Sequence, residues 1–223
     1  MVEGRADFSL LIRSQPNDAL PLVQFLYEPL RYIHHLRLKL LMPDENALAI
    51  ISKSQGAWDM LNQYLLNELK LGNSMATELL LPRQQLVYSR PKNIHLFIKY
   101  VGAAIFADEI RRTVLRADRH RLMEVIGSDV YQFSLKKAIF FNPHGLPFSC
   151  EGVRGKCLTE KIINGGKFCV AACLSDIPQT MKKRFLLKFD PQEEWRFPAV
   201  ECAHIDSIWK FSQRIWQRYC QER

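Results

Sequence analysis

Apolar residues recur along most of this chain at intervals of three and four, and alternation with a period of two is scarce. This spacing places apolar side chains on one side of a helix, so the pattern predicts an all-α fold. The stretch 82–91 is polar and has a proline at each end, which favours a boundary there. We therefore expect an irregular multi-helix protein, with an N-terminal helical lobe over 1–90 and a central and C-terminal helical region over 91–223. One continuous structure is the alternative.

Local signals predict where several helices lie and end. Residues 93–116 carry apolar side chains on nearly all sides, which indicates a helix in the centre of the core. Gly102 lies within it and is small enough to let a neighbouring helix approach closely. Asp118 predicts the start of the next helix and Gly127 its end. A later helix, over 152–164, is predicted to end at the adjacent glycines Gly165 and Gly166.

The C-terminal helix has the clearest apolar stripe on the chain. A stripe of this size must be covered by the chain's own core or by a partner, and aromatic residues are frequent in interfaces. Amphipathic terminal helices usually pack against their own core, so we predict the core position. The stripe consists of Ile205, Ile208, Trp209, Ser212, Ile215, Trp216 and Tyr219.

The composition is that of a globular protein. The chain has 223 residues, of which 48% are hydrophobic and 24% charged, and these values exclude collagen-like and disordered classes. The longest apolar stretch, 100–107, is far shorter than the ~20 residues of a membrane span. The first residues include Glu3 and Asp7 where a signal peptide has positive charge. We therefore expect a cytoplasmic protein.

The basic residues are concentrated in one segment. The whole chain has a net charge of +8, and residues 136–188 contain ten Lys or Arg against three acidic residues. Such a segment binds nucleic acid, an anionic membrane or an acidic protein, or is simply a solvated surface. No nucleic-acid-binding motif accompanies it, so a basic helical nucleic-acid-binding protein stays the alternative. Within the segment, Lys182, Lys183 and Arg184 are candidate contacts for an acidic partner.

A second cluster of charge lies between Asp108 and Glu124, where five arginines alternate with four acidic residues. This pattern is typical of a helix surface with internal salt bridges, and it also suits a docking surface. Arg111, Arg112 and Arg116 are the candidate partner-binding residues in this cluster.

Candidate catalytic and metal-binding groups are weak. The chain contains no phosphate-binding glycine loop and no motif of a serine or zinc hydrolase. Cys169 and Cys173 have a spacing that suits zinc, with Cys202 and His204 as further ligands, but their apolar neighbours favour buried core cysteines. Cys150 with His144 is the basis of a third hypothesis, an unrecognised cysteine hydrolase. We predict no enzymatic activity, no cofactor and no bound metal.

Four segments of the chain resemble one known family. The stretch Tyr100–Gly127 is similar to its central motif, a small-residue helix followed by an arginine-rich turn and a short helix that ends in glycine. Three further stretches resemble the family's other patterns and follow the family's order along the chain. They are Leu30–His34, Asp129–Ala138 and Arg184–Phe189. The family is SctK, the YscK, PscK, OrgA and MxiK group of type III secretion components. The chain departs from the family's pattern at His35, where a Pro-Ser pair is usual.

This resemblance implies a mostly helical, non-enzymatic adaptor without a cofactor. SctK proteins join the cytoplasmic domain of the inner-ring protein SctD to the pods of the sorting platform, which are built on SctQ. The expected partners are therefore an SctD-like domain and an SctQ-like pod protein, and nucleic acid is not among them. The expected location is the cytoplasmic face of the bacterial inner membrane, reached through these partners alone.

Overall fold

All regular elements in the described part of the chain are helices, which confirms the predicted all-α fold. The computed structural model describes residues 16–51, 53–72, 82–141 and 157–220. The predicted Cys150–His144 pair and the N-terminal residues 1–15 lie outside these ranges. The α-helices are α1 (Pro16–Tyr27), α2 (His35–Leu41), α3 (Glu45–Ile51), α4 (Gln55–Glu68), α5 (Gln85–Tyr88), α6 (Pro91–Ile105), α7 (Ala107–Arg112), α8 (Arg116–Ile126), α9 (Ser128–Lys136), α10 (Leu158–Cys173), α11 (Gln179–Leu186) and α12 (Cys202–Ile215).

The chain divides into two units by its internal contacts. The first unit comprises residues 1–91 together with 176–194, and the second comprises 92–175 together with 195–223. Helix α11 thus belongs with the N-terminal helices of the first unit. Whether the residues on the two sides of position 90 form separate domains, as the sequence analysis expects, stays a prediction.

The first unit is built from α-helices of 4 to 14 residues around a core that the 176–194 segment completes. Leu22, Leu65 and Phe185 are fully buried there and come from α1, α4 and α11. The backbone N–H of His34 donates to the Leu187 carbonyl at 2.7 Å. The Arg37 side chain donates through Nε to the Phe189 carbonyl at 2.8 Å. The segment is therefore held by backbone hydrogen bonds as well as by apolar packing.

The second unit is centred on α6, as its apolar pattern predicts. Nine of its fifteen residues are buried. The predicted single helix over 93–116 is wrong in its extent, because the chain bends at Phe106 and leaves the helical conformation again at 113–115. The bend redirects α7 so that it packs beside α9. Helix α8 begins at Arg116, so Asp118 lies inside its first turn and does not cap it.

Two helices of this unit touch through their backbones. A Cβ added to Gly102 would lie 1.9 Å from the Ile162 carbonyl oxygen, and one added to Gly166 would lie 2.0 Å from the Ile98 carbonyl oxygen. The close approach predicted for Gly102 is confirmed. The helix end predicted at Gly165 and Gly166 is wrong, because α10 continues through both glycines; Gly166 packs against the α6 backbone and Gly165 against the Phe106 ring.

The C-terminal stripe packs in the core of the second unit, as predicted. Ile208 and Ile215 are fully buried, and the Trp216 ring meets the Phe97 ring edge-on at 5.2 Å. The Tyr219 ring stacks on Tyr100 with 4.8 Å between centroids. Such aromatic pairs add about 0.5–1.5 kcal/mol each beyond the area that they bury.

Candidate functional site

The six residues predicted to bind partners are divided between the two units. Arg111, Arg112 and Arg116 belong to the second unit, and residues 182–184 belong to the first. Each set is therefore described within its own unit.

The arginines of the second unit flank a short extended segment between α7 and α8. Arg112 and Arg116 are exposed, one on each side of it. Arg111 is half-buried and donates to the Asp108 carboxylate at 2.8 Å and to the Ser134 carbonyl at 3.3 Å. Arg111 therefore fixes α7 against the end of α9, whereas Arg112 and Arg116 point their charge at solvent.

Exposed apolar side chains lie beside these arginines, and the sequence pattern did not predict their exposure. Val114 and Leu115 are 76% and 67% exposed in the segment between Arg112 and Arg116. Ile139 and Phe140 are 65% and 77% exposed in the helical turn Ala138–Phe141 that follows α9. The signal in the sequence was a pair of aliphatic residues between arginines. The predicted helix over 93–116 included this pair, so its exposure was not predicted.

Arg184 is not part of an exposed basic surface, and this corrects the prediction that it belongs to one. Only 1% of the residue is exposed, and its guanidinium lies in the core of the first unit. It donates to the Leu26 carbonyl at 2.6 Å and to the Gly72 carbonyl at 2.8 Å, with longer contacts to the carbonyls of Phe25 and Leu71. Arg184 therefore joins the α1 end to the chain that follows α4.

Lys188, four residues further along, is also buried in the first unit. It is 3% exposed, and its Nζ donates to the carbonyls of Val87 and Ser89, each at 2.6 Å. The same Nζ lies 4.8 Å from the centre of the Phe25 ring and 5.7 Å from that of Tyr32. Arg184 and Lys188 thus form a buried basic pair, a name we use for these two residues.

The buried basic pair is stabilised by helix ends. The carbonyls that it binds lie in the last turn of α1, in or directly after α5, and three and four residues beyond α4. A helix leaves its final carbonyls without internal partners, and the chain directly after it needs donors as well. These ends also carry partial negative charge, which favours a basic side chain. Burial nevertheless lowers the pKa of Lys188 well below its usual range. Burial raises the pKa of the neighbouring Tyr32 to about 12, against the opposing effect of Arg184.

The basic segment 136–188 is therefore less available to phosphate groups than its charge indicates. Arg184 and Lys188 are in the core, and Lys161 donates to the Glu109 carboxylate at 3.1 Å. Lys167 lies over the Trp195 ring at 5.6 Å. Lys183 is exposed and Lys182 is half-buried. Interactions within each unit thus use several of the charges that had motivated the nucleic-acid alternative.

The cysteine and histidine candidates do not come together around a metal site. Cys169 and Cys173 are fully buried among apolar residues of α10, whereas Cys202 is exposed at the start of α12. In the part of the chain that the structure describes, no three His, Cys, Asp or Glu side chains are grouped as metal ligands. Cys157 is exposed, and a hydrogen bond with the Thr159 hydroxyl at 2.9 Å lowers the pKa of its thiol.

The first unit has exposed apolar side chains of its own. Leu36 and Leu40 are one turn apart on α2, and Met60 and Tyr64 are one turn apart on α4. All four are exposed, as is Ile50 on α3. Each unit therefore presents large apolar side chains to solvent in pairs.

None of the helices in the described ranges is long and apolar enough to cross a membrane.

Comparison with known proteins identifies the family. No curated protein and no solved structure matches the chain. A family model described as YOP proteins translocation protein K (YscK) matches residues 19–216, which include all twelve described helices except the first three residues of α1. The Arg184–Phe189 stretch that carried part of the resemblance contains the buried basic pair. The match covers most of the sequence, and the chain therefore belongs to the YscK family of type III secretion proteins.

Proposed function

We propose that this protein is a non-enzymatic adaptor of a type III secretion apparatus. It would join the cytoplasmic domain of an SctD-like inner-ring protein to the SctQ-like pod protein of the sorting platform. The observation that carries the proposal is the family match over residues 19–216. The protein would then work at the cytoplasmic face of the inner membrane, where its partners hold it.

Two features of the molecule support an adaptor role. An adaptor needs at least two surfaces that can exclude water from a partner, and exposed apolar pairs occur in both units, such as Leu36 with Leu40 and Val114 with Leu115. Each unit also has a core that consists mainly of the chain's own apolar residues, such as Leu65 in the first unit and Ile215 in the second. Each unit thus has a stable interior beneath the side chains that it offers to a partner.

The proposal is tested by reconstitution with the two expected partners. The purified chain is mixed with the SctD-like cytoplasmic domain, with the SctQ-like pod protein, and with both, and each mixture is analysed by size-exclusion chromatography with light scattering. We expect a binary complex with each partner and a ternary complex with both. Binding to neither partner, or two binary complexes that exclude each other, would contradict the adaptor role.

A nucleic-acid column provides the control for the alternative. Binding to phosphates falls steeply with salt, so the chain is applied to immobilised DNA and RNA at low and at near-physiological ionic strength. An adaptor should elute at near-physiological ionic strength. Retention there, together with failure to bind the two proteins, would favour a nucleic-acid-binding function.

A further inference from the structure

We infer that the second unit docks onto an acidic protein surface that also presents apolar side chains, and that the docking residues surround the α7–α8 segment and the turn after α9. The inference rests on the proposed function, because it takes the occupant to be one of the two apparatus proteins. We call these residues the basic apolar surface; they are Arg112, Val114, Leu115, Arg116, Lys136, Lys137, Ile139 and Phe140.

The helices that precede the two segments of this surface, α7 and α9, are joined by a hydrogen bond. Arg111 donates to the Ser134 carbonyl at 3.3 Å, and α7 and α9 pack against each other. Val114 and Leu115 follow Arg111 by three and four residues, and Ile139 and Phe140 follow Ser134 by five and six. A chain advances at most about 3.6 Å per residue, so the first pair lies within about 14 Å of Arg111 and the second within about 22 Å of Ser134.

The local structure holds the backbone that carries the exposed side chains. Arg119 donates to the Val114 carbonyl at 2.8 Å and so fixes the segment before α8. In the turn after α9, Ala138 is buried and the Phe141 ring packs at 5.5 Å from Phe133. The exposed Ile139 and Phe140 lie between these two anchors. A backbone that is already anchored loses less conformational entropy when a partner binds.

The apolar part of the surface points to a protein partner. A single exposed apolar residue is normal. Two pairs of consecutive apolar residues, in which every residue is more than 60% exposed, are typical of an interaction surface. An aromatic residue such as Phe140 and arginines such as Arg112 and Arg116 are enriched in protein interfaces. Leu115 and Phe140 would be covered by the partner, and the basic residues would surround them.

The charged part of the surface indicates an acidic partner. In the described ranges no ion pair joins its four basic residues to an acidic one; the nearby Asp108 pairs with Arg111 and Glu109 pairs with Lys161. Lys137 lies over the Tyr219 ring at 5.8 Å and keeps its charge exposed. A partner with carboxylates opposite these residues would be attracted at long range.

The neighbouring acidic residues favour a protein over a lipid surface. Asp118 and Glu124 are exposed on α8, the same helix that begins with Arg116. A uniformly anionic membrane would repel both carboxylates, whereas a protein surface can place complementary charges opposite each one. The mixed pattern is thus suited to recognition of one shape and charge arrangement.

The test measures binding of paired variants to each purified partner by surface plasmon resonance. The charge variant is Arg112→Glu with Arg116→Glu, and the apolar variant is Leu115→Ser with Phe140→Ser. The matched control, Lys53→Glu with Arg90→Glu, reverses two exposed charges of the first unit that are not among the candidate partner contacts. All six positions are exposed, so we expect unchanged thermal unfolding, which circular dichroism checks for each variant.

We expect both surface variants to bind the same partner at least about tenfold more weakly than the unmodified chain, the size of loss seen when interface residues are truncated. The charge variant should lose affinity mainly through a slower association rate, and its binding should depend less on salt than that of the unmodified chain. The affinity of the control should stay within about threefold. These results would support the inference. Unchanged binding by both surface variants, or an equal loss in the control, would overturn it and leave the adaptor role standing.

Two further outcomes are distinguished by the same set of proteins. If the unmodified chain binds neither partner, the proposed function and the inference fail together. Sedimentation with vesicles of phosphatidylglycerol and phosphatidylethanolamine in equal parts measures lipid binding. If the surface variants lose only this binding and keep both proteins, the surface is a lipid contact and the inference is overturned.

Discussion

The two units of this protein bury different kinds of residue. The first unit encloses Arg184 and Lys188, which donate to backbone carbonyls from three separate parts of the chain. Among the described residues of the second unit, the buried polar side chains are two serines. Its helices instead come together through glycines, at Gly102 and Gly166.

The difference follows from helix length. The second unit uses α6, α10 and α12, which have 14 to 16 residues and satisfy most backbone groups internally. The first unit contains several short helices, including α5 with four residues, so a larger share of its carbonyls lies at helix ends. Buried carbonyls without donors are costly, and basic side chains supply the donors. Short helices can thus form a closed core when such donors reach their ends.

The largest effect on stability is expected in the second unit, where α6 and α10 leave no room for a side chain between them. The change Gly102→Ala places a methyl group 1.9 Å from the backbone of α10, which cannot move aside as a flexible side chain does. We expect it to lower the free energy of unfolding by about 4 kcal/mol or more, measured by urea denaturation. Gly56→Ala is the control, because its added Cβ meets nothing within 4 Å, and alanine in a helix should stabilise by up to about 1 kcal/mol. Equal stability of both variants would show that the backbones of α6 and α10 do not touch.

An intermediate effect on stability is expected from removing the buried guanidinium of Arg184 in the first unit. Arg184→Met keeps an apolar stem but leaves the carbonyls of Leu26 and Gly72 without a donor. We expect a loss of about 2 kcal/mol in the free energy of unfolding. Arg184→Lys should recover only part of it, because an ammonium group cannot reproduce the planar fork of the guanidinium.

Lys183→Met is the matched control for this measurement. Its side chain is exposed on the same helix, so the change should stay within about 0.5 kcal/mol. If Arg184→Met were as mild as Lys183→Met, the hydrogen bonds of Arg184 would contribute little, and the contrast between the two interiors would disappear.

The smallest effect is a pH dependence that belongs to the first unit. Burial lowers the pKa of Lys188 in the folded protein, so the unfolded chain takes up a proton first as the pH falls. Stability should therefore increase as the pH rises from the lowered pKa towards the ordinary lysine value of about 10.4, with a slope of at most about 1.4 kcal/mol per pH unit. Urea denaturation between about pH 8 and 9.5 measures the slope and stays below the range in which tyrosine ionises.

Lys188→Met isolates this contribution from the other lysines. We expect the slope to be smaller in the variant, while Lys183→Met should keep the slope of the unmodified chain. A Lys188→Met variant with an unchanged slope would mean that Lys188 titrates alike in the folded and unfolded states. The pH dependence would then be unrelated to the buried basic pair.

Sequence patterns were most informative where they describe one helix at a time. The apolar periodicity predicted α6 as a central helix and the stripe of α12 as core, and both are buried as expected. Gly127 ends α8 with a φ of 95°, a left-handed conformation that favours glycine. In these cases the determining interactions lie within about one helical turn, so neighbouring residues carry the signal.

The same patterns failed where the outcome depends on a distant part of the chain. Gly165 and Gly166 look like a helix end by their local preference, but they stay helical, with Gly166 packed against α6 and Gly165 against the Phe106 ring. Val114 and Leu115 look like part of an apolar helix, but the bend at Phe106 moves them to the surface. In both cases tertiary packing outweighs a local preference of about 1 kcal/mol or less per residue.

The sequence by itself determined the helical class, the family and the individual apolar stripes, because these depend on spacing along the chain. The tertiary structure alone decided which basic residues are exposed and which are buried. Arg184 and Lys183 are adjacent and alike in charge, but Arg184 meets carbonyls that come from 112 and 158 residues earlier in the chain. A basic side chain is stable in a core only where such carbonyls replace its water, and no local pattern reveals where they will be.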